Sequence, residues 1–169
     1  ENHDVLGDRR LELVDDDVSS FLRTTRDRWR VISADEKTAD EYASNGFSYS
    51  LDYYQLLRMH LEDGGLVAQW VPATLPPRQY RMILKTFSRV FPHVQLWYFL
   101  PAREQGPFNS VLIGSIEAVE IDPQRIDQRL QENPGAFASL EAFGLTSAEA
   151  LIPHFVADER TLREALAGE

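Results

Sequence analysis

The chain has 169 residues, 43% of them hydrophobic and 26% charged, enough to bury the core of one ordinary domain, or of part of one with an appendage. It contains no cysteine, which excludes a disulfide framework and any thiolate metal site, and no apolar run reaches the roughly 20 residues that cross a bilayer. With 27 acidic against 17 basic residues and a formal charge of −10, the electrostatic term that dominates nucleic-acid binding is unfavourable, whereas cationic ligands are favoured.

In chain order, residues 1–6 read as the end of a helix, with no signal-peptide character in residues 1–4. Residues 11–14, LELV, alternate and predict a short strand ending in Asp15, Asp16 and Asp17. Asp16 or Asp17 is placed to cap a helix through Phe21 and Leu22 to about Thr25. A second short strand around Val31 and Ile32 ends at Asp35. Residues 36–49 read as a long loop. Ser50 then caps a helix with Tyr53, Tyr54, Leu57 and Leu61 on one face, closed by Gly64 and Gly65.

The apolar run 66–71 predicts a strand buried on both faces. Thr74 with Pro76 and Pro77 opens the next helix, whose apolar face is Tyr80, Ile83, Leu84, Phe87, Val90 and Phe91, and Pro92 stops it. Strands follow over residues 94–100 and 108–115, joined by a turn, so an antiparallel hairpin is expected at one edge of the sheet. Beyond about residue 118 the pattern is a run of short helices without a strand. They start at Asp122-Pro123, at Asn133-Pro134, in the capping box Thr146 to Glu149, and at Asp158.

Strand and helix alternation of this kind argues for an α/β fold, a partial doubly wound, Rossmann-like sheet with a C-terminal antiparallel hairpin and a helical tail. Two parts are expected: residues 1–118, the C-terminal part of a nucleotide-binding domain, and residues 119–169, a helical extension. The glycine-rich turn that opens such domains is not seen, since Gly64-Gly65 follows a helix, and the isolated chain is therefore expected to be inactive, with an exposed sheet edge.

In open α/β sheets ligands sit at the carboxyl ends of strands. Asp15, Asp16 and Asp17, then Asp35, then Gln69 fall at such ends. A carboxylate there can accept hydrogen bonds from an adenine amino group or a ribose hydroxyl, or take a proton from an amine. The alternative reading is structural, with Asp16 or Asp17 as a helix cap and Asp35 in a turn. His3, His60, His93 and His154 lack metal-ligand spacing and read as ordinary surface or core residues. Trp70, Trp97 and Tyr98 read as core.

Several segments taken in order resemble the spermidine synthase family, the polyamine aminopropyltransferases. LELVDDDVSSFL (11–22) is similar to that family's strand, acidic pair and hydrophobic helix. VISAD (31–35) resembles the strand that delivers its catalytic aspartate, and NGFSYS (45–50) with Tyr53 and Tyr54 resembles the helix after the catalytic loop. LEDGGLVAQW (61–70) resembles the strand that carries its active-site glutamine, and residues 91–94 and 109–115 continue the likeness. The tail, with FVAD (155–158), is similar to bacterial spermidine-synthase-like proteins in which the domain follows transmembrane helices.

The resemblance implies a methyltransferase-type sheet and aminopropyl transfer from decarboxylated S-adenosylmethionine, as co-substrate, to a putrescine-like amine, without a metal. It implies Asp35 as general base, Asp16, Asp17 and Val18 against the nucleoside, and Gln69, Glu36 and Tyr42 against the amine. It also implies a cytoplasmic location, or a cytoplasmic domain behind a membrane segment, and is compatible with a homodimer; no nucleic-acid partner is expected. The chain departs from the family at three places. Its loop reads Asp35-Glu36-Lys37-Thr38-Ala39 in place of Asp-Ser-Ser-Asp-Pro; Pro101-Ala102-Arg103 stands where a tyrosine is expected; and Val18 replaces a glycine. Two other readings share this sheet: a methyltransferase-like enzyme using intact S-adenosylmethionine, and a non-catalytic domain that binds a nucleoside or polyamine.

Overall fold

The computed structural model of the protein describes residues 5–35, 44–99 and 109–167. Residues 5–7 form a single 3-10 turn, and the remainder of the predicted first helix lies outside the described residues. Asp17 caps α1 (Val18–Thr24), accepting the Ser20 N–H on its side chain. Strand β1 (Trp29–Ala34) follows. Part of the predicted loop, Ser44–Tyr49, is a 3-10 helix. It leads into α2 (Leu51–Met59), where Ser50 accepts the Tyr53 N–H as its cap. Strand β2 (Leu61–Pro72), α3 (Pro77–Val90), β3 (His93–Phe99) and β4 (Asn109–Ser115) come next. The chain ends in α4 (Pro123–Glu132), α5 (Pro134–Glu141), α6 (Ala148–Leu151), β5 (Phe155–Ala157) and α7 (Glu159–Leu166).

The five strands make one open mixed sheet in the order β1-β2-β4-β3-β5. β1 and β2 are parallel, and β4 is antiparallel to both β2 and β3. β1, β2 and β3 therefore run the same way, as crossover helices require. The return strand β4 does not lie at the edge, as the hairpin pattern suggested. It fills the gap between β2 and β3 and pairs along seven residues with each. The edge beyond β3 is taken instead by β5, from the segment expected to hold only helices.

Three further expectations are corrected. Residues 11–15 carry no strand, and Leu13 is 73% exposed. Alternation makes a strand only where a neighbouring strand takes its backbone hydrogen bonds, and no described strand pairs with this segment. Gly64 and Gly65 do not end a helix: α2 stops at Met59, and the glycines lie in an irregular stretch of β2, where the pairing with β1 jumps between Trp29↔Leu61 and Val31↔Leu66. Gly64 takes φ +68° there, a region that favours glycine. Finally, the caps of two helices shift. α3 starts after Pro76, without a side-chain cap from Thr74, and Ser147, not Thr146, caps α6.

The core lies on the sheet face covered by α2 and α3. Val67, Val71, Leu112 and Val94 point into it from the strands, and Tyr54, Leu57, Phe87 and Phe91 pack onto them. Each such large side chain contributes about 1.5–3 kcal/mol on burial. Leu162 of α7 and Ala157 of β5 belong to the same cluster. On the opposite face Trp70 and Trp97 are half-buried, and Val31 is exposed. Among the described residues no helix is long and apolar enough to cross a membrane.

Candidate functional site

The parallel pair β1 and β2 brings two of the residues singled out above together. Ala34 lies opposite Gln69 in the register, so Asp35, the next residue, leaves the sheet beside Gln69 at the carboxyl end of β1, while β2 runs on to Pro72. Asp35 is exposed. Gln69 is fully buried, because β2 alternates and its odd positions face α2 and α3. Its amide nitrogen donates to the Ala34 carbonyl at 3.1 Å and to the Trp70 carbonyl at 2.9 Å. Its amide oxygen is buried with no partner among the described residues. A buried acceptor left unpaired costs about 1–3 kcal/mol, so the position is set up to receive a donor. Glu36 and Tyr42 lie outside the described residues.

The wall beside Gln69 is polar in a way the sequence did not suggest. Tyr80, on the first half of α3, donates its hydroxyl to Ser110 Oγ at 2.8 Å, and Ser110 donates to the Val71 carbonyl at 2.8 Å. Burial pushes the Tyr80 phenol up from its ordinary value, partly countered by the Ser110 hydroxyl. Asn109, the first residue of β4, holds a buried amide oxygen with no partner among the described residues. Tyr80 reads in sequence as one more member of an apolar face. The available signal was Ser110, a polar residue on the inward period of β4 with Leu112 and Gly114.

Asp16, Asp17 and Val18 stand at the start of α1. All three are exposed. Asp17 accepts the Ser19 hydroxyl at 2.5 Å and the Ser20 N–H at 3.0 Å. The Ser19 hydroxyl, followed by the Ser20 N–H, holds its carboxyl below the usual carboxylate range. Asp16 accepts the Asp17 N–H at 2.8 Å. No hydrogen bond or ion pair among the described residues joins these acids to Asp35 or Gln69. The opposite end of α1 is held at the amino end of the sheet: His60, just ahead of β2, places its two ring nitrogens 2.7 Å from the Leu22 and Asp27 carbonyls.

The other histidines serve local contacts. His93 Nδ1 lies 3.3 Å from a Glu159 oxygen, and His154 Nδ1 lies 3.0 Å from the Tyr98 carbonyl while its ring stacks on Phe99. No group of three or more His, Asp or Glu side chains among the described residues is arranged to hold a metal ion. Among the described residues, the chemistry available where β1 ends beside β2 is that of an exposed carboxylate, a buried amide acceptor and a hydroxyl chain. That set can bind and deprotonate an amine.

No protein-family model matches the chain, and no curated protein matches it. In structure it is similar to a spermidine synthase in complex with the transition-state analogue AdoDATO and to a spermidine synthase from Thermotoga maritima. Each has a TM-score of 0.65 at 15% identity over 96% of this chain. The chain covers 51% and 52% of those two chains, so it spans about half their length. At that identity the likeness establishes the α/β open-sheet fold.

Proposed function

We propose that this chain supplies the amine-binding part of an enzyme that transfers an aminopropyl group from decarboxylated S-adenosylmethionine to an amine, with the amine held where β1 ends beside β2. The observation that carries this reading is the buried Gln69 oxygen, unpartnered among the described residues and beside the strand end that presents Asp35. An amine or ammonium offers the N–H donors such an acceptor lacks. The fold likeness to spermidine synthases supports the same reading, as does the chain's net charge of −10, which favours cationic substrates.

In this reading the neutral amine nitrogen attacks the aminopropyl carbon next to the sulfonium. The new C–N bond forms as the C–S bond breaks, and sulfur keeps the bonding pair, leaving neutral methylthioadenosine. The proton shed by the nitrogen passes to the Asp35 carboxylate. The sulfonium is already a good leaving group, so the protein contributes mainly position and charge. Gln69 orients the nucleophile, Glu36 and Tyr42 complete the amine site, and Asp17 with Asp16 and Val18 contacts the nucleoside. Residues 1–118 would supply the catalytic part and residues 119–169 an extension of it.

Calorimetric titration of the full-length protein that carries this chain with methylthioadenosine, followed by an amine-transfer assay with decarboxylated S-adenosylmethionine, tests the proposal. Expected are nucleoside binding that is lost in Asp17→Ala, and transfer that is lost in Asp35→Asn while nucleoside binding persists. A folded protein that binds neither methylthioadenosine nor decarboxylated S-adenosylmethionine would sink it.

A further inference from the structure

Acidic residues outnumber basic ones by 27 to 17 in this chain, yet one cleft is lined by cations. It lies between the second half of α3 and α7, with a volume of about 310 Å³, and Lys85 and Arg89 of α3 and Arg163 of α7 line it. Its apolar wall is formed by Phe91 and Val94, both core residues, and by Leu166. None of the three cations makes an ion pair or side-chain hydrogen bond among the described residues. The carboxylate in the cleft, Glu159, lies against His93 at 3.3 Å.

A fourth cation stands one turn earlier on α3. Arg81 donates to the Ala165 carbonyl of α7 at 3.2 Å, and its Nε is buried without a partner among the described residues. Arg81, Lys85 and Arg89 follow one another at spacings of four residues, which aligns them along one stripe of the helix. Like charges at that spacing repel by about 0.2–0.5 kcal/mol per pair. Across the cleft, Arg163 adds to that repulsion. An anion seated among these groups removes the penalty and pairs with several donors at once.

We propose that this cleft binds a small organic anion, a carboxylate or phosphate monoester on a compact apolar body. The cations supply the charge, and the Phe91, Val94 and Leu166 wall supplies the apolar contact. The volume is at the small end of ligand pockets. The surrounding field, from a net charge of −10, repels long polyanions and leaves the local cluster selective for a small one. The site rests on α3, α7 and the segment that leads from α3 into β3, and does not depend on the amine-transfer reading.

The test is titration of the protein with phenyl phosphate and with benzoate, followed by backbone amide shifts. Inorganic phosphate, benzyl alcohol and a polyglutamate peptide serve as comparisons. One of the two aromatic anions is expected to bind saturably, shifting amides of α3 and α7, and to weaken as ionic strength rises. Arg89→Ala and Arg163→Ala, both at exposed positions, should each weaken it roughly tenfold while melting as the parent does. Inorganic phosphate and benzyl alcohol should bind more weakly than the aromatic anion that binds. The proposal is overturned if neither aromatic anion binds or if both substitutions leave the affinity unchanged. It is equally overturned if polyglutamate binds more tightly than the aromatic anions.

Discussion

Replacing Gly114 by alanine tests how closely α3 rides on the sheet. A Cβ at this position would stand 2.6 Å from Phe87 Cε1 and from Phe91 Cγ, and 2.7 Å from Phe87 Cζ. Carbon atoms pack at about 3.5–4.0 Å, so three contacts overlap by about 1 Å. Neither ring has room to yield. Phe87 and Phe91 are 0% and 1% exposed, with centroids 4.6 Å apart, and Phe87 also meets Tyr54 edge-on at 4.9 Å. Overpacking of a tight core costs about 1–3 kcal/mol or more, and two locked rings place this site at or above the upper end. Replacing a glycine in a strand interior gains back about 0.5–1 kcal/mol. The net loss expected is about 2–3 kcal/mol, a fall in melting temperature of about 5–10 °C for a chain of this size. Calorimetry of Gly114→Ala, Phe87→Leu and the double variant checks it. The smaller leucine makes room for the new methyl, so the double variant should lose less than the two single costs added. A Gly114→Ala protein melting within about 2 °C of the parent, or costs that simply add, would refute the close approach.

Two other substitutions probe the termini of helices. In His60→Leu, the Leu22 and Asp27 carbonyls lose the ring nitrogens that now lie 2.7 Å away. At about 1–3 kcal/mol for a buried group left unpaired, a loss in that range is expected in denaturant melts, with the α1 amides exchanging fastest; unchanged protection of α1 would contradict it. In Asp158→Asn, the α7 cap is kept and its charge removed. Asp158 is held below its ordinary value, 3.8, chiefly by the Thr161 N–H and then by the Thr161 side chain. Its charged form therefore stabilises the fold above that pH, and the contribution disappears as pH falls through the lower folded value. The parent should melt above the variant at neutral pH, with the gap closing in acid; a gap independent of pH would show that the charge does not act through the cap.

Within the candidate site, the residues were legible in unequal measure. Asp35 could be placed at a strand end because it follows the strand residues 31–34, and Gln69 late in a strand because it interrupts the apolar run 66–71. That they neighbour one another follows from the parallel register Ala34↔Gln69, a contact across 35 residues of chain. Tyr80 reads as one more apolar position, and Ser110, though polar on the inward period of β4, does not mark its partner; their hydroxyls meet only when α3 is laid over β4. The cations of the α3 and α7 cleft are separated by more than seventy residues, and nothing in either segment marks the other.

What the sequence determined by itself is local. Asp17, Ser50, Asp122 and Asp158 each cap a helix by accepting a backbone N–H two or three residues on, so every atom involved lies in one short segment. The apolar period of α3 likewise needs only its own fourteen residues. Pairing was decided by the tertiary structure. Residues 11–14 have the alternation of a strand and no described neighbour to pair with, whereas Phe155–Ala157, three residues in a helical segment, become a strand because β3 presents an open edge. β4 sits inside the sheet because seven residues on each side accept it and because Gly114 leaves space for two phenylalanine rings. A strand is stable only with hydrogen-bonding partners from elsewhere in the chain, and that is information no single segment carries.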